Sequence, residues 1–421
     1  MTEWATRTLG DLCLAINDGD WIETKDQGGS DYRLLQVSNI GLGTFRETGK
    51  YRYVTRETFE RLRCREILPG MVLVARMPDP VGRAWLVADL AEPAITSVDV
   101  AILEPNPATL SARYCMYLLN SPEQLAQRAA EASGTTRLRV TRRQLADTTV
   151  RIPDIETQHG VASVLGVIDA LIENNRRRVA VLEEMARAIY REWFVHFRFP
   201  GHEGATFVDT DLGPIPAGWH ASSLGEHSSV ITRGIAPKYT DDGQWLVVNQ
   251  RCIRGGRVSL TNARRHGRAV PGNKRLKHGD VLINSTGVGT LGRVAQWRAD
   301  INATTDSHVT MVRSERPDDH RWLAHWAACN QESFEALGTG STGQTELRRS
   351  DVEAMRMVVP PVALRSNFDA SVGSATELAD SLMARVRVLT DVRDALLPKL
   401  VTGQIDVSDL DLDAVMEQAA V

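Results

Sequence analysis

Two long segments of the chain carry apolar residues at steps of three and four positions, the spacing of one face of a helix. The first runs from about residue 156 to residue 194 and the second from about residue 363 to residue 400. In the first segment the apolar positions are Val161, Val164, Leu165, Ile168, Leu171, Ile172, Val179, Leu182, Met185, Ala186 and Ile189. In the second they are Val372, Ala375, Leu378, Leu382, Val386, Leu389, Leu396 and Leu397. Stripes of similar length favour pairing, so we expect two long antiparallel helices forming a coiled coil; the alternative is that each helix packs only on its neighbouring globular region.

Each long segment follows a region of roughly 140 residues in which short runs of β-forming residues are separated by Gly, Pro and Asp. The pattern predicts strands at residues 34–37, 72–75, 98–103, 245–248, 281–283 and 308–312. Helices are predicted within the same regions at residues 112–120 and 321–337. Each region is therefore expected to be globular, with mixed α/β structure.

The two halves of the chain resemble each other at an offset of about 210 residues. Leu9-Gly10-Asp11 matches Leu224-Gly225-Glu226, and Val81-Gly82-Arg83-Ala84 matches Leu291-Gly292-Arg293-Val294. Val150-Arg151-Ile152-Pro153 matches Met357-Val358-Val359-Pro360. The constant order predicts a duplication, and hence an α+β fold in which two mixed α/β domains are related by pseudo-two-fold symmetry and separated by the two helices.

These patterns divide the chain into six parts. The first globular domain is expected at 1–153, the central helix at 154–197 and a linker rich in Pro and Gly at 198–220. The second globular domain follows at 221–360 and the second helix at 361–402. Residues 401–421 contain five acidic and no basic residues, so we expect a loosely held acidic tail at 403–421.

Composition excludes several classes of protein. The net charge of −4 argues against a surface that is positive throughout, so any nucleic-acid surface must be local. Five scattered cysteines without a C-x-x-C pair argue against a zinc module and indicate a reducing compartment. The first residues lack the pattern of a signal peptide, and no apolar run approaches the ~18 residues of a membrane span. We expect a cytoplasmic protein without a membrane partner.

Positive charge is concentrated in a few stretches. Residues 251–277 contain nine Lys and Arg and no acid. Such a run is often only a solvated face, but the Gly and Asn residues between the arginines allow a backbone to approach a phosphate chain closely. A second cluster at residues 137–143 has a counterpart at 348–349. Corresponding basic patches on two related domains favour a DNA duplex as the ligand.

Candidate DNA contacts follow from charge and repeat position. Arg side chains suit guanine edges, and Asn and Gln suit adenine edges. The candidates are Arg76, Arg83, Arg137, Arg139, Arg142, Arg251, Arg254, Asn284, Ser285, Arg293, Gln344 and Arg348.

Two glycine-rich segments resemble catalytic motifs incompletely. Residues 338–345 nearly match a phosphate-binding P-loop, but Gln344 occupies the position that requires lysine, and a helix rather than a strand is expected before it. Residues 287–292 resemble a dinucleotide fingerprint without the βαβ unit around it, and are better explained as a turn between strands. We therefore expect no catalytic and no metal site in this chain. The alternatives are an NTPase or nuclease that uses the 338–345 loop, and a helical scaffold without specific DNA binding.

The junctions between the parts resemble those of one known family, the specificity (S) subunits of type I restriction–modification systems. The resemblance covers nearly the whole chain. Its most distinctive pieces are Ile152-Pro153-Asp154-Ile155-Glu156-Thr157-Gln158, Trp193-Phe194-Val195-His196-Phe197, Gly213-Pro214-Ile215-Pro216-Ala217-Gly218-Trp219 and Leu396-Leu397-Pro398-Lys399-Leu400-Val401-Thr402-Gly403-Gln404-Ile405. The second junction, at residues 360–365, departs from the pattern because it lacks the Glu-x-Gln part.

The resemblance implies a non-catalytic subunit whose two target-recognition domains each read half of a split DNA sequence. It implies that the helices set the distance between the half-sites and bind two methyltransferase subunits, which restriction subunits join for cleavage. S-adenosylmethionine, ATP and magnesium would belong to those partner subunits.

Overall fold

The computed structural model describes residues 4–88, 90–134, 138–340 and 345–407. The chain divides into two compact units, Met1–Arg177 with Leu382–Val421 (unit 1), and Arg178–Ser381 (unit 2). Each long helix therefore contributes one part to unit 1 and another to unit 2. The sequence-based division, which gave each helix a part of its own, differs because the apolar stripes pack on the globular regions as well as on each other.

Unit 1 begins with a globular region whose described residues form nine strands and five short helices. In chain order they are β1 (Ala5–Thr8), α1 (Leu9–Leu12), β2 (Cys13–Asp18), β3 (Tyr32–Leu35), β4 (Tyr53–Val54), α2 (Arg56–Leu62), β5 (Val72–Ala75), β6 (Ala84–Leu86), β7 (Ala94–Thr96), β8 (Val100–Pro105), α3 (Ala112–Leu119), α4 (Pro122–Glu131), α5 (Arg142–Asp147) and β9 (Thr149–Ile152). The long helix α6 (Ile155–Tyr190) follows and continues into unit 2, where a π-helical turn, Arg191–Val195, ends it.

The globular region of unit 2 lies between α6 and the second long helix. Its elements are β10 (Phe207–Thr210), β11 (Gly213–Pro216), β12 (His220–Ser223), β13 (Ser228–Arg233), β14 (Trp245–Val248), β15 (Ile253–Arg254), β16 (Arg257–Val258), β17 (Arg264–His266), β18 (Val281–Asn284), β19 (Val294–Gln296), β20 (Ala303–Thr305), β21 (Val309–Ser314), α7 (His320–Cys329), α8 (Gln331–Ala336), α9 (Arg349–Glu353) and β22 (Arg356–Val359). The second long helix, α10 (Val362–Val401), follows at once and ends in unit 1.

The two globular regions share one strand order. Unit 1 contains a four-stranded sheet β2-β8-β5-β6, a three-stranded sheet β4-β3-β7 and the pair β1-β9. Unit 2 contains β13-β21-β18-β19, β17-β14-β20 and β12-β22 in the same arrangement, together with two additional hairpins, β10-β11 and β15-β16. In each three-stranded sheet one pair is parallel, β3 with β7 and β14 with β20. The predicted duplication is confirmed at the level of topology.

The burial of the central strands explains why the hydrophobic pattern of the sequence predicted them. All four residues of β5 and of β18 are buried, so both strands consist almost entirely of apolar residues. The predicted helix at 321–337 is two helices, because the chain turns at Asn330, between α7 and α8. The edge strands β1 and β12 were not predicted, since only their pairing with β9 and β22 far along the chain makes them strands.

The long helices run antiparallel inside each unit, as predicted. In unit 1 Val161 and Leu165 of α6 share a core with Leu400 and Val401 of α10, and Ile168 and Ile172 pack with Val386. In unit 2 Ala186 and Tyr190 of α6 pack with Phe368 and Val372 of α10. Met185 and Leu378, which belong to the predicted stripes, are instead exposed.

Polar contacts fix each globular region to its part of the helices. In unit 1 the Tyr117 hydroxyl donates to Asp169 of α6 at 2.6 Å, and Arg393 of α10 donates to the same carboxylate at 3.0 Å. In unit 2 Arg321 of α7 pairs with Asp369 at 2.6 Å and with Glu377 at 3.1 Å, both on α10. Each region is thus attached to its helices by side-chain contacts as well as by the chain.

Equivalent residues at the start of the two long helices use different chemistry. Gln158 of α6 is fully buried; its amide oxygen accepts from the Ser111 backbone N–H at 3.0 Å, and its amide nitrogen donates to the carbonyls of Thr109 and Pro153. Arg365 takes the corresponding place in α10 and pairs with buried Asp319. An ion pair therefore replaces the glutamine network at the junction that departs from the family pattern.

The segment expected to be an extended linker and the segment expected to be a loosely held tail are both partly folded. Within the predicted linker, β10 and β11 form an antiparallel hairpin, and Ile215 and Trp219 are buried in the core of unit 2. Within the predicted tail, Val407 belongs to the core of unit 1, while residues 408–421 lie outside the described residues. Apolar residues of both segments pack into the cores of the units, and a composition rich in Pro and Gly or in acidic residues does not predict this packing.

Close backbone approach defines one edge of each globular region. Gly19 follows β2 and Gly234 follows β13, and a Cβ at either position would overlap the carbonyl oxygen of Ser97 or of Thr305, respectively. Glycine at both positions lets the chain cross the end of the parallel strand pair. The same arrangement in both units makes this edge a repeated feature of the fold.

We expect Gly234→Ala to lower the free energy of unfolding by about 1–3 kcal/mol, because the added methyl group forces the two backbones apart. Urea denaturation of the full chain measures the change. Gly204→Ala is the matched control, since a Cβ there meets no atom within 4 Å. Equal stability of the two variants would contradict the close approach.

The described helices include none that combines the length and apolarity of a membrane span. All five cysteines are unpaired, and burial raises the pKa of the Cys13 thiol to about 12. No group of three or more His, Cys, Asp or Glu side chains suited to a metal ion occurs among the residues that the structure describes.

Candidate nucleic-acid interface

The basic stretch of unit 2 lies mostly on the surface. Arg251 is in a short turn held by Asn249, whose side-chain oxygen accepts from the Arg251 backbone N–H at 2.8 Å. Arg254, at the end of β15, is exposed as well. Arg257 instead pairs with Glu183 of α6 at 2.6 Å, and Lys274 donates to the Gly234 carbonyl at 2.7 Å. The remaining basic residues of the stretch are exposed, namely Arg264, Arg265, Arg268, Arg275 and Lys277.

A polar cleft of about 480 Å³ lies beside this stretch. Its lining residues are Tyr239, Asn249, Gln250, Arg251, Thr261, Asn262, Ala263, Arg264, Asp306 and His308. The Arg264 guanidinium lies over the Tyr239 ring, 3.9 Å from its centroid. Such a cleft offers hydrogen-bond donors, acceptors and a flat cation within a small area, as base-edge recognition requires.

Asp306 and His308 also line the cleft. The Asp306 carboxylate accepts from the His308 backbone N–H at 2.9 Å, and burial raises the pKa of this carboxyl. The His308 Nδ1 lies 2.8 Å from the Thr286 hydroxyl, which also contacts Gln250. These contacts connect the turn after β14 to the loop after β18.

Asn284 and Ser285, predicted as DNA contacts, are fully buried. The Asn284 amide donates to the Gln250 and Thr290 carbonyls, each at 3.1 Å, and the Ser285 hydroxyl contacts the Thr310 hydroxyl. Neither side chain is open to a duplex. Their role is structural, since Asn284 holds the backbone of Gln250 at the rim of the cleft.

Arg76 and Arg83 of unit 1 are also not retained as DNA contacts. Arg76 is buried, donates to the carbonyls of Val140 and Val98, and pairs with Asp18. Burial lowers the pKa of Arg76 to about 10. Arg83 is buried as well, and its donors are directed at four backbone carbonyls, those of Ile40, Met77, Pro80 and Val37. Sequence could not distinguish these internal arginines from surface ones.

The other predicted arginines are accessible to different degrees. Arg142 is exposed, 3.9 Å from Asp18, and Arg139 is half-buried, 3.4 Å from Asp99. In unit 2 Arg348 is exposed at the start of α9, and half-buried Arg293 donates to the Gly289 carbonyl at 2.7 Å. The candidates Arg137 and Gln344 lie outside the described residues.

The structure bears on the two motif-like segments to different extents. Residues 287–292 connect the antiparallel strands β18 and β19, so this segment is a turn between strands, as predicted. The segment 338–345 follows helix α8, as expected, whereas a P-loop follows a strand. Residues 341–344 lie outside the described part of the chain.

Sequence reasoning did not single out Tyr239, Asn249, Asp306 and His308, and it included Arg264 only as one of the basic residues of 251–277. Asn249 directly follows a predicted strand, which is a usable signal. Asp306 follows β20, a three-residue strand that no pattern predicted, and only the parallel pairing of β14 with β20 brings it beside Asn249.

Comparison with known proteins finds similarity along nearly the whole chain. The family model described as "Type I restriction modification DNA specificity domain" matches residues 1–184. The MjaIX type I restriction enzyme specificity subunit of Methanocaldococcus jannaschii is 22% identical over 397 residues, covering 93% of this chain and 88% of the relative. The HindI type I restriction enzyme specificity subunit of Haemophilus influenzae is 21% identical over 480 residues, covering 96% of this chain and 100% of the relative.

A solved structure shares the fold. The crystal structure of the S subunit of a type I restriction–modification system from M. genitalium has a TM-score of 0.58 at 16% identity, covering 95% of this chain and 96% of that one. The family model matches the first half, the second half repeats its strand order, and the relatives align along nearly the whole chain. The chain is thus similar along nearly its whole length to specificity subunits of type I restriction–modification systems, and its first 184 residues match the model of their DNA specificity domain.

Proposed function

We propose that the chain reads a bipartite DNA sequence, with one globular region contacting each half-site. Its long helices bind two methyltransferase subunits and, where the system contains them, restriction subunits. The chain performs no catalysis in this proposal. S-adenosylmethionine, ATP and magnesium bind to the partner subunits in this proposal. The methyltransferase subunits among them modify adenine.

The observation that carries the proposal is the exposed basic stretch beside the polar cleft of unit 2. Exposed arginines supply salt-dependent attraction to phosphates, and the cleft side chains supply the directional contacts that distinguish base pairs. Arg139 and Arg142 offer a smaller basic surface on unit 1. We retain as proposed contacts Arg139, Arg142, Arg251, Arg254, Arg293 and Arg348.

Exposed apolar side chains on the helices support the binding of partner subunits. Val181 and Met185 of α6, and Leu378, Val388 and Val392 of α10, are each more than 40% exposed. Each helix already buries one apolar face, so these side chains are additional apolar residues exposed to water. Exposed apolar residues of this kind favour contact with the helices of another protein. We propose that these positions contribute to the methyltransferase docking surface.

Binding measurements at several salt concentrations test the DNA-reading function. In the complex with its methyltransferase subunits, the chain is expected to select one split sequence from a pool of randomised duplexes. Combined Arg251→Ala and Arg254→Ala substitutions are expected to weaken binding to all duplexes. The slope of log K against log salt should become shallower by about 0.9 for each phosphate that the variant no longer neutralises.

Arg198→Ala is the matched control, because this exposed arginine of unit 2 lies outside residues 251–277 in the sequence and pairs with Glu192 at 2.9 Å. Unchanged affinity and slope in the double variant would remove these arginines from the interface. Failure of the unmodified complex to prefer any sequence would refute the DNA-reading function itself.

A further inference from the structure

The parallel strands of unit 2 end side by side at one edge. β14 ends at Val248 and β20 ends at Thr305, and the two residues are paired in register. The Asp306 backbone N–H donates to the Val248 carbonyl at 3.1 Å. Asp306 and Asn249, the residues that directly follow these two strands, therefore both line the cleft described above, where the Asp306 side chain is largely buried at 6% exposure.

Asp306 is an acidic side chain in surroundings that suit an anionic ligand. Arg251 and Arg264 line the same cleft, yet within the described chain Asp306 forms no ion pair, and its carboxylate accepts instead from the backbone N–H of His308. Burial raises the pKa of this carboxyl, so its surroundings disfavour the charged form. A carboxylate here also opposes phosphate binding, because like charges repel.

Unit 1 shows that the fold does not need the acid. Ser97 occupies the position equivalent to Asp306. Its backbone N–H donates to the Leu35 carbonyl at 3.0 Å. Ser97 also forms a parallel β-bridge with Asp20, as Asp306 does with Ile235. The same strand pair, the same edge and the same preceding glycine occur with a serine. The carboxylate is therefore a feature of unit 2 alone, added to a frame that both units share.

An ionised carboxylate accepts hydrogen bonds and donates none, which limits what it recognises. In the major groove guanine presents two acceptors to such a group and thymine presents one, whereas cytosine presents its N4 amino group as a donor. Adenine offers a donor beside an acceptor, which suits Asn or Gln better. Cytosine is the base that matches a carboxylate.

We propose that Asp306 is a specificity-determining residue, accepting a hydrogen bond from the N4 amino group of a cytosine in the half-site read by unit 2. The inference rests on the proposed DNA-reading function and assigns one base of its target. Arg251 and Arg264, on the same cleft, then face the phosphate backbone or the paired guanine.

Selection from randomised duplexes by the complex with methyltransferase subunits tests this assignment. The unmodified chain should require a C·G pair at one position of one half-site. Asp306→Ser, which copies the residue of unit 1, should relax that position alone, by about tenfold to a hundredfold in relative affinity. Asp306→Asn should shift the preference toward adenine, because an amide both donates and accepts.

Asp300→Asn is the matched control, an exposed acid between β19 and β20. It should leave every position of the selected sequence unchanged. Thermal unfolding of each variant reports on structure separately; the serine variant should fold, since the equivalent position of unit 1 is a serine.

The outcomes separate the two proposals. An unmodified chain that selects a split sequence, with variants that select the same one, would overturn the role of Asp306 and leave the DNA-reading function intact. Variants that fail to fold would make Asp306 structural and would likewise overturn the inference. An unmodified chain without any sequence preference would refute the DNA-reading function.

Discussion

Replacing Arg365 by alanine is expected to lower the free energy of unfolding by about 3–5 kcal/mol, because it leaves the Asp319 carboxylate buried without its partner. Both side chains are almost completely buried, and the Arg365 guanidinium also lies 5.2 Å from the centroid of the Trp322 ring. Burial raises the pKa of Asp319 and lowers that of Arg365, so the surroundings disfavour both charges. The pair is therefore costly to bury and still more costly to break. Chemical denaturation of the full chain measures the loss.

The equivalent junction of unit 1 provides a designed rescue. Arg365→Gln combined with Asp319→Ser copies the neutral pair Gln158 and Ser111, and should recover most of the stability that Arg365→Ala loses. Arg385→Ala, an exposed arginine of the same helix, is the control and should change little. Equal losses in the single and the double variants would contradict this interpretation of the ion pair.

Shortening both long helices by seven residues is expected to shorten the gap between the two recognised half-sites. Seven helical residues span about 10 Å, which is about three base pairs of B-DNA. Removal of residues 173–179 from α6 and 379–385 from α10 keeps both apolar stripes nearly in phase, since seven residues make almost two full turns. Mapping of the methylated adenines, in cells that contain the variant and its methyltransferase, measures the gap.

Removal of the segment from α6 alone is the control for this experiment. It shifts the apolar positions of one helix against those of the other, so the packing of Ile172 with Val386 in unit 1 and the shared core of Ala186 and Val372 in unit 2 cannot both persist. We expect that variant to lose sequence-specific methylation. A doubly shortened chain that methylates with the original gap would show that the helices do not set the distance.

The local hydrophobic pattern was sufficient to predict the elements that both halves of the fold share. The central strands β5 and β18 and the long helices α6 and α10 were predicted within a few residues, because each buries a continuous run or a regular stripe of apolar side chains. Repeat order in turn predicted two regions of one topology. Edge strands and the β10-β11 hairpin escaped prediction, because their partners lie elsewhere in the chain or their composition resembles a linker.

Charge was a weaker guide to the candidate site than hydrophobic pattern was to the fold. Arg251 and Arg254 are exposed as expected, whereas Arg76 and Arg83 serve internal carbonyls. The sequence does not show whether the guanidinium of an arginine faces a phosphate or a buried carbonyl. Only the packing around the side chain determines which of the two it contacts. Asp306 did not belong to any charged pattern.

The sequence by itself determined that this protein has two related globular regions, two long helices and junctions that resemble those of type I specificity subunits. These features are periodic or local, so they are encoded in neighbouring residues. The tertiary structure decided which side chains face a ligand. The cleft of unit 2 exists because a parallel strand pair brings Asn249 and Asp306, 57 positions apart in the chain, to one edge, and such long-range pairing leaves no local signal.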